Sequence, residues 1–230
     1  MQSSLKDFLE KVEQKTEELK SKSIEIKPRY NPAEEQEAVE RLNKEWRKIS
    51  HKARFEDFLD TVLCVLERKE QEYKEIVQRL ERDVLDVFVR MFSILMEYYT
   101  FRYNYGDVLG QFHMQNFSSK MRGEFYTPFN VALCMTEMLD PKPEDAVIDP
   151  AAGSGVMLLA TRYVIHKKHG WLESSKFGRK LYGIDINQTA VKMTKTQLCL
   201  TDYVYMGCLL FDAARMVKCG LRNGEGQGKY

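Results

Sequence analysis

Val147-Ile-Asp-Pro-Ala-Ala-Gly-Ser-Gly155, followed by Leu181-Tyr-Gly-Ile-Asp185, decides the fold of this chain. An apolar run opens each stretch, glycines close the first, an acid closes the second, and the interval between them has room for a helix. The pattern predicts a strand, a tight turn, a helix and a second strand, which is a parallel unit of the α/β class. Glycines at such a turn let backbone amides approach a ligand at a helix N-terminus. A carboxylate at the tip of the next strand is placed to accept hydrogen bonds from ribose hydroxyls. A nucleotide-type ligand follows, but not every kind. A dinucleotide fingerprint requires a third glycine three residues after Gly155, where Leu158 stands, and a phosphate loop requires Gly-Lys-Ser or Gly-Lys-Thr, which the chain lacks.

The segment Asp149-Pro-Ala-Ala-Gly-Ser-Gly155 resembles the first motif of S-adenosylmethionine-dependent DNA methyltransferases of the adenine-N6 branch, which includes the modification subunits of type I restriction systems. Gly123-Glu-Phe-Tyr-Thr-Pro128, just upstream, is similar to the Gly-x-Phe/Tyr-Tyr/Phe-Thr-Pro segment of the same enzymes. The two motifs stand in the family's order, with a helical stretch, Phe129-Asn-Val-Ala-Leu-Cys-Met-Thr-Glu-Met138, between them. The resemblance extends over residues 105 to 205 and implies S-adenosylmethionine as cofactor. It places Tyr126, Thr127 and Pro128 along the methionine end of that cofactor, Asp149, Ala151, Gly153 and Gly155 in the turn, and Asp185 on the ribose.

Two departures from the family qualify the activity. Adenine-N6 methyltransferases carry Asn, Asp or Ser, then Pro-Pro, then an aromatic: the polar side chain and a proline carbonyl bind the exocyclic amine and the aromatic stacks on the flipped base. The six prolines here, Pro28, Pro32, Pro128, Pro141, Pro143 and Pro150, are nowhere adjacent. No catalytic residue is assigned, and the isolated chain is expected to be inactive. After a third strand, expected at 203 to 206, relatives have Gly-Asp or Gly-Asn against the cofactor's adenine. Here Cys208 takes the acidic position in Val204-Tyr-Met-Gly-Cys-Leu-Leu-Phe-Asp212, with Asp202 and Asp212 the nearest acids. Two readings result. One is an adenine-N6 DNA methyltransferase relative carrying the cofactor-binding half. The alternative is a non-catalytic module that binds S-adenosylmethionine or a partner and regulates or interferes with a restriction-modification complex.

Composition narrows the setting. Apolar residues make up 43% of the 230, enough for a core, and neither a signal peptide nor a membrane-length apolar run occurs, so a cytoplasmic protein is expected. A net charge of +1 lacks the footprint of a protein that grips DNA unaided, so DNA is expected to be met through a complex. Five cysteines, odd in number and without a Cys-x-x-Cys pair, argue against zinc and disulfides. His166 and His169 have helical spacing but no further ligand beside them, so no metal is assigned. The basic groups His166 to His169, Lys176 with Arg179 and Lys180, and Lys192 with Lys195 read as solvated faces.

Residues 1 to 104 read as a helical domain. Leu5, Phe8, Leu9 and Val12 mark a first amphipathic helix ending before Pro28, and residues 28 to 33 form a linker. Helical pattern resumes at Glu34 with Trp46 and Ile49 apolar, and Phe55, Phe58, Leu59, Val62, Leu63 and Leu66 share one face. A third helix is expected from about 71 to 99, apolar on nearly every side in its second half. Asp107-Val-Leu-Gly110 is expected to pack the two layers together. Residues 105 to 216 are expected to form an incomplete Rossmann-like sheet, with strands at 145 to 149 and 180 to 185 besides the third. Helices are expected at 154 to 168 and 187 to 200, with a charged loop through Phe177 between them. Residues 217 to 230 read as a flexible tail. A sheet of this kind leaves the strand at 145 to 149 with an open edge, for which the N-terminal helices, residues 209 to 219 folding back, or another chain or second copy is the expected cover.

Overall fold

The computed structural model describes residues 27–117 and 127–209. The first amphipathic helix, the Gly123–Tyr126 stretch and the tail from 217 lie outside the described residues. Asn31 caps the first described helix, α1 (Pro32–Trp46), by accepting the Ala33 N–H, and Pro32 occupies the first turn. At that position its missing N–H costs nothing. The expected linker is therefore shorter than 28 to 33 and is itself anchored: Arg29 donates to the Tyr103 carbonyl at 2.9 Å and accepts the Tyr105 N–H at 2.7 Å.

Helix α2 (Phe55–Leu66) buries the apolar face read from the sequence. The expected single helix at 71 to 99 is instead two: α3 (Glu70–Arg79) and α4 (Arg82–Leu95), separated at Leu80 and Glu81 by extended backbone. Helix α4 continues into a π-helical turn, Met96–Phe101. The widened turn is accompanied by two buried tyrosines facing residues 105 and 106. Tyr98 donates to the Tyr105 carbonyl at 3.0 Å, and the Tyr99 hydroxyl lies 2.9 Å from the Gly106 carbonyl. Asp107 then caps α5 (Val108–Asn116) by accepting the Gly110 N–H.

The second part begins with α6 (Phe129–Leu139) and runs into β1 (Val147–Asp149), α7 (Val156–His169), α8 (Trp171–Phe177), a short 3₁₀ turn at Gly178–Lys180 and β2 (Leu181–Gly183). It ends in α9 (Gln188–Leu209). The strands pair in parallel, Val147 with Leu181 and Asp149 with Gly183, so the architecture is α/β, mostly helical, with a two-stranded sheet among the described residues. Two expectations are corrected. The charged loop through Phe177 is largely helical, because Ser174 and Phe177, three residues apart, share one helical face that is buried in the core. Residues 203 to 206 are helical rather than a third strand, since α9 runs unbroken to Leu209.

Two apolar cores meet along α9. One gathers Leu42, Phe58, Phe88, Leu95 and Phe112 from the helical layer and takes in Met193 and Leu200. The other gathers Tyr105, Phe129, Leu158, Phe177 and Leu181 and takes in Leu198. Lys192 and Lys195, read as a solvated face, instead reach across to Asp60 of α2 and to Glu67 at its C-terminal cap, while Thr189 donates to Glu56. His166 is also not solvated: it is buried, with its Nδ1 3.1 Å from the Tyr105 hydroxyl. Among the described residues the sheet is covered on one face only. Leu181 is buried toward the helices, whereas Ile148 and Tyr182, paired in register and so on the same side, are exposed together with Ile184 and Ile186.

Arg162 of α7 ties three helices. Its guanidinium pairs with Asp202, donates to the Leu198 carbonyl and to Thr201 Oγ1, both at 3.0 Å, and lies 5.8 Å from the Trp171 ring centre. Only 1% of the side chain is exposed. Arg162→Met leaves the Asp202 carboxylate without its counter-ion, and breaking a buried pair in this way costs about 3 to 5 kcal/mol. Urea unfolding of the two proteins measures it; a loss under 1 kcal/mol would contradict the assignment of Arg162 as a buried tie.

Candidate functional site

The glycine turn leaves β1 at its carboxyl end and opens α7, the position at which a doubly wound sheet presents backbone to a ligand. It is stitched to the end of β2: Ile184 donates to the Asp149 carbonyl and Ala152 to the Ile184 carbonyl, both at 2.9 Å. Asp149 closes its own turn by accepting the Ala151 N–H at 3.1 Å. Gly153 and Gly155 have φ of +54° and +93°. At Gly155 a Cβ would fall 2.7 Å from the Thr194 side chain, so conformation and space both require glycine.

Asp185 reaches back over this turn. Its Oδ2 accepts the Gly153 N–H at 2.9 Å and its Oδ1 the Asn187 N–H at 2.8 Å. A carboxylate has about four acceptor sites, so each oxygen keeps capacity for one more donor. Asp185, Asp149 and Gly153 are part-exposed and Ala151 is exposed, which leaves this side open to a ligand. Asp149, Ala151, Gly153, Gly155 and Asp185 are thus brought together. Thr127 and Pro128 immediately precede α6, which packs along α7, and among the described residues no hydrogen bond joins them to the turn. Tyr126 lies outside the described residues. Cys208 is part of α9 rather than of a loop after a strand, Asp202 is held by Arg162, and Asp212 lies outside the described residues.

Behind the turn lies a set of buried polar groups that the sequence reading missed. Ser154, fully buried, turns away from the open side and donates to Asp107 Oδ2 at 2.5 Å. Asp107 Oδ1 accepts the Gly110 N–H at 3.0 Å and Gln197 Nε2 at 2.9 Å. Gln197 Nε2 also donates to the Ser154 carbonyl at 2.8 Å, while its Oε1 accepts the Leu109 N–H at 2.9 Å and the Tyr99 hydroxyl. Thr194 donates to the Gly153 carbonyl at 2.8 Å. The helical layer joins through Glu35, whose Oε1 accepts the Asp107 N–H at 2.6 Å and whose Oε2 accepts the Tyr30 hydroxyl at 3.1 Å. A signal for Gln197 was present: it stands four residues after Met193 and three before Leu200, on the apolar stripe of its helix.

Residues 101–209 match the family described as N-6 DNA Methylase. The matched segment holds both strands, the glycine turn and Asp185, and is similar to that family. The chain is also similar to the type I restriction enzyme EcoEI methylase subunit of Escherichia coli, at 28% identity over 103 residues. That match covers 43% of this chain and 21% of the relative, so the chain spans about a fifth of the relative's length. No solved structure matches. The adenine-N6 resemblance read from the two motifs is borne out. Its reach agrees as well, from residue 105 in the reading to residue 101 in the family match.

Burial sets the charge state of Glu35. Desolvation outweighs the lowering effect of the Asp107 N–H and, with a smaller contribution from the Asp107 carboxyl, pushes its pKa up to about 7 from 4.5. A carboxyl raised in the folded state favours folding most below its unfolded pKa, and that contribution is lost as pH rises through the folded value. Stability is therefore expected to fall between pH 4.5 and 7, with Glu35 supplying about 3 kcal/mol of the change. Glu35→Gln should flatten that part of the profile in denaturant titrations; an unchanged slope would show that Glu35 is not the group responsible.

Proposed function

We propose that this protein uses the turn at Asp149–Gly155 and the Asp185 carboxylate to hold S-adenosylmethionine, and serves adenine-N6 methylation of DNA as the cofactor-binding half of a Rossmann-like methyltransferase. The observation that carries this reading is the placement of Asp185. A carboxylate with unused acceptor sites sits at the end of β2, fixed by the Gly153 and Asn187 amides, in a segment of N-6 DNA methylase sequence. Two vicinal ribose hydroxyls match that remaining capacity. The domain division at 104, with a helical layer before and the methylase-like part at 105 to 216, belongs to the same proposal.

In this role Ala151 and Gly153 let the ligand approach the backbone closely. Asp185 accepts the ribose hydroxyls, and Tyr126, Thr127 and Pro128 flank the methionine end. S-adenosylmethionine supplies the electrophilic methyl group. With no adjacent prolines in the 230 residues, the acceptor-base site comes from elsewhere, and DNA is met in a complex with another chain or a second copy. The exposed Ile148, Tyr182, Ile184 and Ile186 support such a partner, because a one-sided apolar sheet gains from being covered. The missing proline pair equally favours a second reading, a non-catalytic module that tunes a restriction-modification complex. Among the described residues no helix is long and apolar enough to cross a membrane.

Isothermal calorimetry tests the cofactor assignment. The protein is expected to bind S-adenosylmethionine in preference to NAD or ATP, and Asp185→Ala should weaken binding by about 1.5 to 3 kcal/mol, the range for a hydrogen bond to a charged group. Equal binding by the variant removes Asp185 from the site, and no binding by the wild type removes the cofactor. Catalysis is tested separately. Without the oriented acceptors that activate an amine, worth about 100- to 1000-fold each, and without a pocket to offset base flipping, the 230-residue chain is expected not to methylate duplex DNA. Appearance of N6-methyladenine after incubation with labelled S-adenosylmethionine would place an acceptor site within these residues.

A further inference from the structure

The turn that faces the ligand side is held from the opposite side by side chains that cannot touch a ligand. Ser154 is the only residue of the Gly-Ser-Gly sequence with a side chain, and that side chain is committed inward to Asp107. The carbonyls on either side of the Gly153–Ser154–Gly155 path are also taken, Gly153 by Thr194 and Ser154 by Gln197. Space around these groups is closed as well. A Cβ at Gly110 would lie 2.1 Å from Asp107 Oδ2 and 2.5 Å from Ser154 Oγ, so α5 approaches the turn as closely as backbone allows.

The orientation of the Gln197 amide is fixed by its surroundings. The Leu109 N–H can only donate and the Ser154 carbonyl can only accept, so Oε1 must face the first and Nε2 the second. Its four partners use the full capacity of the amide, and Asp107 is thereby held in the register that receives Ser154.

We propose that Asp107 and Gln197 are positioning residues for the glycine turn, and that through Glu35 and Tyr99 they make the helical layer the back wall of the ligand site. The proposal rests on the reading of that turn as the S-adenosylmethionine site. It gives the Asp107–Gly110 segment a role beyond packing: the segment sets the path of the amides that Asp185 and the ligand share. It also makes ligand affinity depend on residues buried on the side away from the ligand.

The test uses the 230-residue protein with Ser154→Ala, Asp107→Asn and Gln197→Met, and with Ser174→Ala as a control. Ser174 is equally buried, but its hydroxyl bonds the Arg162 carbonyl, away from the turn. Two quantities are read: calorimetric affinity for S-adenosylmethionine, and amide hydrogen exchange at Gly153 and Gly155 in the absence of ligand. Loss of one buried hydrogen bond is expected to weaken affinity roughly tenfold and speed exchange at both glycines by a similar factor. Ser174→Ala should change neither by more than about twofold. Ser154→Ala is the mildest variant and decides the matter if the other two do not fold. Affinity and exchange that stay at wild-type values in Ser154→Ala, or that shift equally in Ser174→Ala, overturn the proposal. A wild-type protein that binds no S-adenosylmethionine defeats the cofactor reading instead, and exchange at the two glycines still decides whether the pair orders the turn.

Discussion

The buried amide of Gln197 is the constraint on which the joining of the two layers depends. It is fully buried and lies on α9, the helix that borders both apolar cores, and its partners come from three other places: Tyr99 in the π-helical turn, Asp107 and Leu109 at the start of α5, and Ser154 in the glycine turn. An unpaired buried amide would cost several kcal/mol, so each partner is fixed by the others' geometry. The backbone detours nearby make sense in this light. The wide turn at 96–101 brings Tyr99 to the amide, and the absence of a side chain at Gly110 lets α5 reach the Asp107 and Ser154 groups.

Around that polar centre the layers are held by apolar burial and by a row of charges. Glu56 and Asp60 on α2 and Glu67 at its C-terminal cap meet Thr189, Lys192 and Lys195 on α9 in the same order along both helices. The side chains are half-buried rather than dry, so each pair adds little to stability, typically below about 1 kcal/mol. Their value is in register. A slide of either helix by one turn would set Lys192 or Lys195 against the wrong neighbour, and the Gln197 partners would be lost with it.

The glycine turn and its acid were legible because their chemistry is local. Gly153 and Gly155 adopt positive φ, and Asp185 follows its strand at a fixed spacing, so the sequence alone names the atoms that meet. Helix α2 was legible for the same reason, through its apolar periodicity. The misreadings arose where tertiary context competes with propensity. Val204 and Tyr205 suggest a strand by residue type, yet α9 runs through them to Leu209. Leu80 gives no sequence sign of a break, but its extended backbone divides one expected helix into α3 and α4. The lysines at 192 and 195 look like a solvated face until a partner helix with acids at matching spacing is known. Buried polar contacts between residues about 90 apart, such as Gln197 with Asp107, leave no local pattern beyond a polar residue on an apolar stripe.

The site stands where a rigid side meets an open one, and its physical character follows from that asymmetry. Behind the turn the side chains of Glu35, Asp107, Ser154 and Gln197 all have partners in a low-dielectric interior, where hydrogen bonds are strong and rearrangement is costly. In front, Asp185 and Gly153 are part-exposed, and the neighbouring sheet face carries bare isoleucines. Burying a side chain of that size contributes about 1.5 to 3 kcal/mol, so the front of the site is the side with free energy still to gain. A turn held this way keeps its backbone donors and acceptors in place, while the exposed face has contacts still to make.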